Sequence, residues 1–351
     1  MELTELLEYV IAEGASDIFI SAGLPLSCRK NGAICQLSGE KLLPADTERL
    51  LGEIYENAGS RKMDHLQRSG DDNFSFAVKG LSRFRVSAYK QRGTLSAVIR
   101  IISFHLPDPA HLHIPEYVLH LGDGGRGMIL VTGPAGSGKS TTLACIIDQI
   151  NQNQRKHIIT LEDPLEYLHR HAQSIVSQRE IDMDTENYTT AMRAALRQSP
   201  DVILLGEMPD NGTVSMAMSA AETGCLLFST MHTVGAVNTI NHIIDAFPEE
   251  QQRQISVKLS TVLTAIVSQQ LVPTVDGKRT LVLEIMTVTP EICSMIRENR
   301  VQQIEGILYS SLRDDMASMD GSLLSLCKSG VITRDTAVKY AANPDALGKK
   351  L

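Results

Sequence analysis

The stretch GPAGSGKS, residues 133–140, constrains this chain more than any other. It matches GxxxxGK[ST], directly after the apolar run MILVT and directly before a helical pattern. A glycine-rich turn between a buried strand and a helix aims successive backbone N–H groups at one point, and the helix start adds the positive end of its dipole. The pattern assigns phosphate contacts to Gly133, Pro134, Ala135, Gly136, Ser137, Gly138, Lys139, Ser140 and Thr141. Lys139 reaches the terminal phosphates, and Ser140 offers its hydroxyl to magnesium. A chance glycine turn rarely has both flanks right.

Such a loop belongs in an α/β sheet, and the sequence around it agrees. Apolar runs at 128–132, 157–161, 202–205 and 225–230 alternate with helical patterns, which predicts a mostly parallel sheet with helices on both faces. We place this domain at 126–351, with short amphipathic helices from about 290 to 351. Residues 1–104 read as a smaller α+β domain. A helix over 2–13 stops at Gly14, and DIFISAG leads to a hairpin folding back at Asn31-Gly32. The runs DNFSFAV, SRFRVSAYKQ and TLSAVIRIIS then alternate apolar and polar residues, with turns at Lys79-Gly80 and Arg92-Gly93. Residues 105–125, rich in proline, glycine and histidine, read as a linker.

Composition excludes several classes. The longest apolar runs are about six residues, far short of the roughly 20 that span a bilayer. The acidic, amphipathic start carries no secretory signal, so cytoplasm is the expected compartment. Six scattered cysteines without a CxxC pair indicate neither a disulfide framework nor a zinc knuckle. A net charge of −8 argues against nucleic acid as the partner. His105, His111, His113 and His120 lie close together, but without a closed ligand set. GDGGRG, 122–127, fits GxGxxG yet precedes a strand, so a dinucleotide reading fails.

The acidic chemistry is displaced. A strand beside a phosphate loop commonly ends in the aspartate that holds magnesium. Here DVILLGEMPD, 201–210, has Gly206 there and Glu207 one step on. HIITLEDPLEY, 157–167, instead delivers Glu162 and Asp163 at a strand's carboxyl end, where open α/β sheets bind ligands. A carboxylate there can orient and deprotonate an attacking water; alone, the segment would read as a solvated acidic loop. ETGCLLFSTMHT, 222–233, ends a further strand at His232, either a γ-phosphate contact or a structural histidine.

Together the phosphate loop, ITLEDPLEY, PDVILLGEM and TGCLLFSTMHT resemble, in order and spacing, the secretion-ATPase superfamily of type II secretion and type IV pili. The likeness runs nearly end to end, from GASDIFISAGLP through IIDAFP to SLLSLCKSGVITRDTA, and is greatest to the pilus retraction (twitching-motility) ATPases. It implies a RecA-like core, a PAS-like first domain, a homohexamer, ATP and Mg2+ as ligands, and an inner-membrane platform protein as partner. It also implies that Glu162 is the base, that Glu207 joins Ser140 around magnesium, and that His232 senses the γ-phosphate. Arginines of the first domain, from Arg83, Arg85 and Arg100, complete such sites; read alone, they are the polar face of a sheet. Arg193 and Arg197 are weaker candidates. Four positions depart from the family pattern: Phe19, Pro209, Cys225 and Cys293. Pro209 is expected in the first turn of the following helix. The departures keep two alternatives open, an assembly or secretion ATPase and a weakly hydrolysing regulator of a partner motor. An extra N-terminal domain and a tetracysteine insert, usual in assembly ATPases, are not visible, and no NKxD suggests guanine.

Overall fold

A computed structural model describes residues 3–30, 32–59, 61–102, 106–311, 313 and 315–351. It divides into two compact units, Met1–His105 with Glu166–Leu168, and Leu106–Leu165 with His169–Leu351.

The first unit is built on an antiparallel sheet of six strands, β1 (Asp17–Ile20), β2 (Pro25–Lys30), β3 (Ala33–Lys41), β4 (Asp71–Val78), β5 (Ser82–Gln91) and β6 (Thr94–Ile102), in the order β3-β2-β1-β6-β5-β4. The alternation seen in sequence sets its buried face: Phe74, Phe76, Phe84, Val86 and Ala88 all pack into the core. Helix Leu3–Ala12 adds Leu6, Leu7 and Val10, and helix Pro44–Asn57 adds Leu50, Leu51 and Ile54. Of the Asn31-Gly32 turn, Asn31 lies outside the described residues; Lys30 and Ala33 pair across it, and Gly32 has φ 81°.

Asp72 sets a charged group into this core. The side chain of Asp72 is 1% exposed and accepts hydrogen bonds from Tyr55 Oη at 2.7 Å and from Arg61 Nε at 3.1 Å. Burial pushes its carboxyl up, but the bonds from Arg61 and Tyr55 outweigh that and hold it below the usual carboxylate range. Breaking a buried pair by removing one partner costs about 3–5 kcal/mol. Because Arg61 remains 32% exposed, we expect Asp72→Ala to destabilise this unit by less, about 2–3 kcal/mol, measured by urea unfolding. A depressed folded pKa stabilises at pH values above the unfolded pKa of about 3.9, and that contribution is lost as pH falls through the folded value. The wild-type advantage over Asp72→Ala is therefore full at neutral pH and shrinks below about pH 4.

The second unit carries a seven-stranded sheet of β7 (Gly127–Thr132), β8 (His157–Glu162), β9 (Ile175–Glu180), β10 (Val202–Leu205), β11 (Leu226–Met231), β12 (Leu263–Pro273) and β13 (Arg279–Thr287), in the order β13-β12-β7-β11-β10-β8-β9. All neighbours are parallel except β12 and β13. Residues from Leu106 on cluster with this unit, and Ile114, Val118 and Leu121, from the stretch that reads as linker, are buried with Ile146 and Ile150 of helix Lys139–Asn153. The sequence reading contains no β9, β12 or β13. β9, IVSQRE, is a polar edge strand. β12 follows helix Glu249–Val262 without an intervening residue, so no turn signal separates the two periodicities. The Asp276-Gly277 pair between β12 and β13 is a usable hairpin signal, with Gly277 at φ 80°.

Candidate functional site

β7 is buried along its whole length and fixes the root of the 133–138 loop. Gly133 stands at φ 140°, and a Cβ there would lie 2.2 Å from the Gln269 carbonyl oxygen, so no other residue fits. Pro134, Ala135 and Gly136 are exposed, and Ser137 is buried. Gly138, at φ 89°, turns the chain into helix Lys139–Asn153, which places Ser140 and Thr141, both half-buried, in its first turn. Lys139 is 8% exposed, and its Nζ donates to the carbonyls of Gly133 at 2.8 Å and Pro134 at 3.1 Å. A desolvated ammonium held by its own loop is a cation already poised over the cradle. From β12, buried Gln269 donates Nε2–H to the Ser137 carbonyl at 2.7 Å and braces the loop from the neighbouring strand. Sequence reasoning missed Gln269, because one glutamine in a strand without a boundary carries no signal.

The remaining motifs emerge along the same edge. β7, β11, β10 and β8 are consecutive neighbours, with Thr132 paired to Met231, Leu205 to Ser229 and Leu205 to Leu161. In this register the carboxyl ends run level, so the phosphate loop, His232, Gly206-Glu207 and Glu162 succeed one another across the sheet. At about 4.8 Å per strand, Glu162 lies some 14 Å across from the root of the loop.

Gly206 explains why the usual aspartate is missing. Its N–H donates to the Leu161 carbonyl at 2.8 Å, and its own carbonyl accepts from Thr230 Oγ1 at 2.6 Å. A Cβ at 206 would stand 3.2 Å from both the Leu161 carbonyl oxygen and the Tyr188 hydroxyl, and 3.3 Å from Glu162 Cα. A side chain there crowds the end of β8, so the acid stands one residue on. Glu207 and Glu162 are both half-buried and Asp163 is exposed. The Tyr188 phenol is pushed well above its usual range, first by burial and then by the negative charges of Glu207, Asp163 and Glu162. Carboxylates from two strand ends thus act on one phenol. In sequence Tyr188 is only the first residue of an amphipathic helix.

His232 follows β11 directly and is exposed. The loop after it is tied back by Gly235 N–H to Ser268 Oγ at 2.8 Å and Ala236 N–H to Glu284 Oε1 at 2.7 Å. Ser268 and Gln269, consecutive on β12, therefore hold the His232 loop and the phosphate loop respectively.

The three arginines all belong to the first unit. Arg83 and Arg85 lie on β5, and Arg85 pairs in register with Arg100 of β6. Arg100 Nε binds Asp17 Oδ1 at 2.9 Å, and Arg29 Nε approaches the other carboxylate oxygen at 3.6 Å. Arg100 is thus committed within its own sheet.

The departures have local accounts. Pro209 stands one residue before Asp210, whose carboxylate caps helix Asn211–Glu222 by accepting from Thr213 N–H at 2.7 Å. It therefore lies outside the first turn expected for it, because the cap starts the helix later. The Cys225 thiol faces the Pro200 carbonyl at 3.4 Å, Cys293 donates to the Ser260 carbonyl at 2.9 Å, and Arg29 stacks over Phe19 at 5.3 Å. His105 lies outside the described residues, and among those described no group of three or more His, Cys, Asp or Glu side chains could hold a metal.

A buried phosphate-loop strand next to the strand that ends before His232, then an acid-bearing strand pair, defines a RecA-like P-loop ATPase. Comparison with known proteins narrows the class. The type II/IV secretion system protein family matches residues 2–325. The type IV pilus retraction ATPase PilT of Pseudomonas aeruginosa is 38% identical over 98% of this chain and 99% of its own. The type IV pilus ATPase PilU of the same organism is also 38% identical, over 99% of this chain and 90% of its own. A crystal structure of the pilus retraction motor PilT with bound ADP superposes with a TM-score of 0.91 at 41% identity, covering 99% of each chain. This chain belongs to the type II/IV secretion system protein family and is a PilT-like ATPase. Among the described residues no helix is long and apolar enough to cross a membrane.

Proposed function

We propose that the chain is a retraction motor of a type IV pilus, working as a ring of six copies at the cytoplasmic face of the membrane and acting through a membrane-embedded platform protein. The observation that carries the reading is the level carboxyl edge, on which the phosphate loop, His232, Glu207 and Glu162 stand in that order. Gly133 to Thr141 hold the phosphates of ATP. Lys139 exchanges its loop carbonyls for phosphate oxygens, and Glu162 orients and deprotonates the attacking water. His232 contacts the terminal phosphate. The fit for magnesium rests on the donor set: the Ser140 hydroxyl and the Glu207 carboxylate are hard oxygen ligands, which suit this ion. When bound there, magnesium offsets the charge that develops on the phosphates. Arg83, Arg85 and Arg100 are the arginines proposed to add positive charge to the site. Loss of the terminal phosphate then removes its contacts with the loop and His232, and the change of conformation that follows is the work delivered.

The equal identity to PilU supports a second reading, an accessory partner of a main motor. Imaging of labelled pili in cells lacking the chain, or carrying only Lys139→Ala, separates the readings. Pili that extend and do not retract match the proposal. Absence of pili assigns the chain to assembly, and retraction that persists at reduced force assigns it to the accessory role.

A further inference from the structure

Tyr188 is a polar side chain at this edge that the proposed roles leave unused. The capping carboxamide of Asn187, which accepts from Thr190 N–H at 2.8 Å, starts helix Tyr188–Ala195 and sets Tyr188 as its first residue. The residue is 7% exposed, and among the described residues no acceptor takes its hydroxyl proton; the Asp163 backbone N–H is the protein group that approaches the oxygen. A buried hydroxyl without an acceptor calls for an explanation, and a catalytic role is one. Burial first, and then the charges of Glu207 after β10 and of Asp163 and Glu162 at the end of β8, push the phenol up and keep it protonated, so it acts as a donor and not as a base. Ionised carboxylates only accept, so a phenol proton is the complement this cluster needs. Gly206 makes room for it, since any side chain at 206 would stand 3.2 Å from the same hydroxyl.

We propose that the Tyr188 hydroxyl is a positioning residue for hydrolysis, donating to the Glu162 carboxylate and aiming its second oxygen at the attacking water. The inference rests on the ATPase reading of the site and adds a residue to it. A donor that orients a base acts on the chemical step and leaves nucleotide binding alone.

The test is Tyr188→Phe in the full-length chain, with steady-state ATP turnover, KM and thermal midpoint measured beside wild type, Glu162→Gln and the double variant. We expect kcat to fall about tenfold with KM unchanged. The thermal midpoint should change little, because the variant removes a buried hydroxyl whose proton has no protein acceptor among the described residues. In the double variant the Tyr188→Phe effect should vanish, since the hydroxyl acts only through Glu162. A lowered midpoint with kcat intact would make Tyr188 a packing residue and overturn the proposal. So would equal losses with and without Glu162. A wild type without turnover overturns the ATPase reading and this inference with it, whereas an active wild type matched by Tyr188→Phe overturns this inference alone.

Discussion

Lys139→Ala is expected to lower ATP turnover about a thousandfold or more, the scale of losing a donor aimed at developing transition-state charge. The ammonium is buried and held by the carbonyls of Gly133 and Pro134, so its charge is little screened by water and already sits beside the loop that cradles phosphate. Removing it takes away a positive charge at the place where negative charge accumulates. The fold should survive, because alanine is the best helix former and position 139 opens helix Lys139–Asn153. Circular dichroism and the thermal midpoint check the fold, and a phosphate-release assay checks turnover. The ATP affinity should fall as well, since the ammonium also contacts the phosphates in the ground state, though less strongly than in the transition state.

Glu162→Gln should behave differently. Glutamine keeps the size and one acceptor of glutamate and loses the basicity, so ATP affinity should hold while turnover falls about 10²–10⁴-fold, the usual share of a positioned base. Glu207→Gln separates the two acids. A group in the magnesium shell should weaken nucleotide binding and change its magnesium dependence, whereas the base should not. Equilibrium binding of a fluorescent ATP analogue across a magnesium titration reads the difference. The position of Gly206 supports this division. Its backbone is pinned between Leu161 and Thr230, and a side chain would crowd Glu162 Cα, so the magnesium acid is placed one residue on, at Glu207, and the base at the end of β8.

The parts of this architecture that were legible in sequence are those with strong local punctuation. The strand 128–132, the glycines of 133–138 and the helix after them announce one another, because apolar run, positive-φ residues and helical period change within ten residues. Glu162, Gly206-Glu207 and His232 were legible because each ends a short apolar strand. β12 was not, because it continues a helix without a break, and with it went Gln269 and Ser268, which brace the two loops of the site. Tyr188 was invisible for another reason. Its role comes from three carboxylates and a glycine distant in the chain, and nothing in ENYTTAMRAAL points to them. The arginines stand between these cases: their common face follows from strand alternation, but the commitment of Arg100 to Asp17 needs the pairing of β1 with β6.

The central claim is that this chain hydrolyses ATP although the strand that commonly supplies the magnesium aspartate ends in glycine. Steady-state ATP turnover by the purified wild type with magnesium, beside Lys139→Ala and Glu162→Gln, tests it most directly. The account predicts clear turnover by the wild type and near-background rates from both variants, with ATP still bound by Glu162→Gln. A wild type that binds ATP and turns it over no faster than the variants would contradict it, and would make the chain a nucleotide-binding regulator.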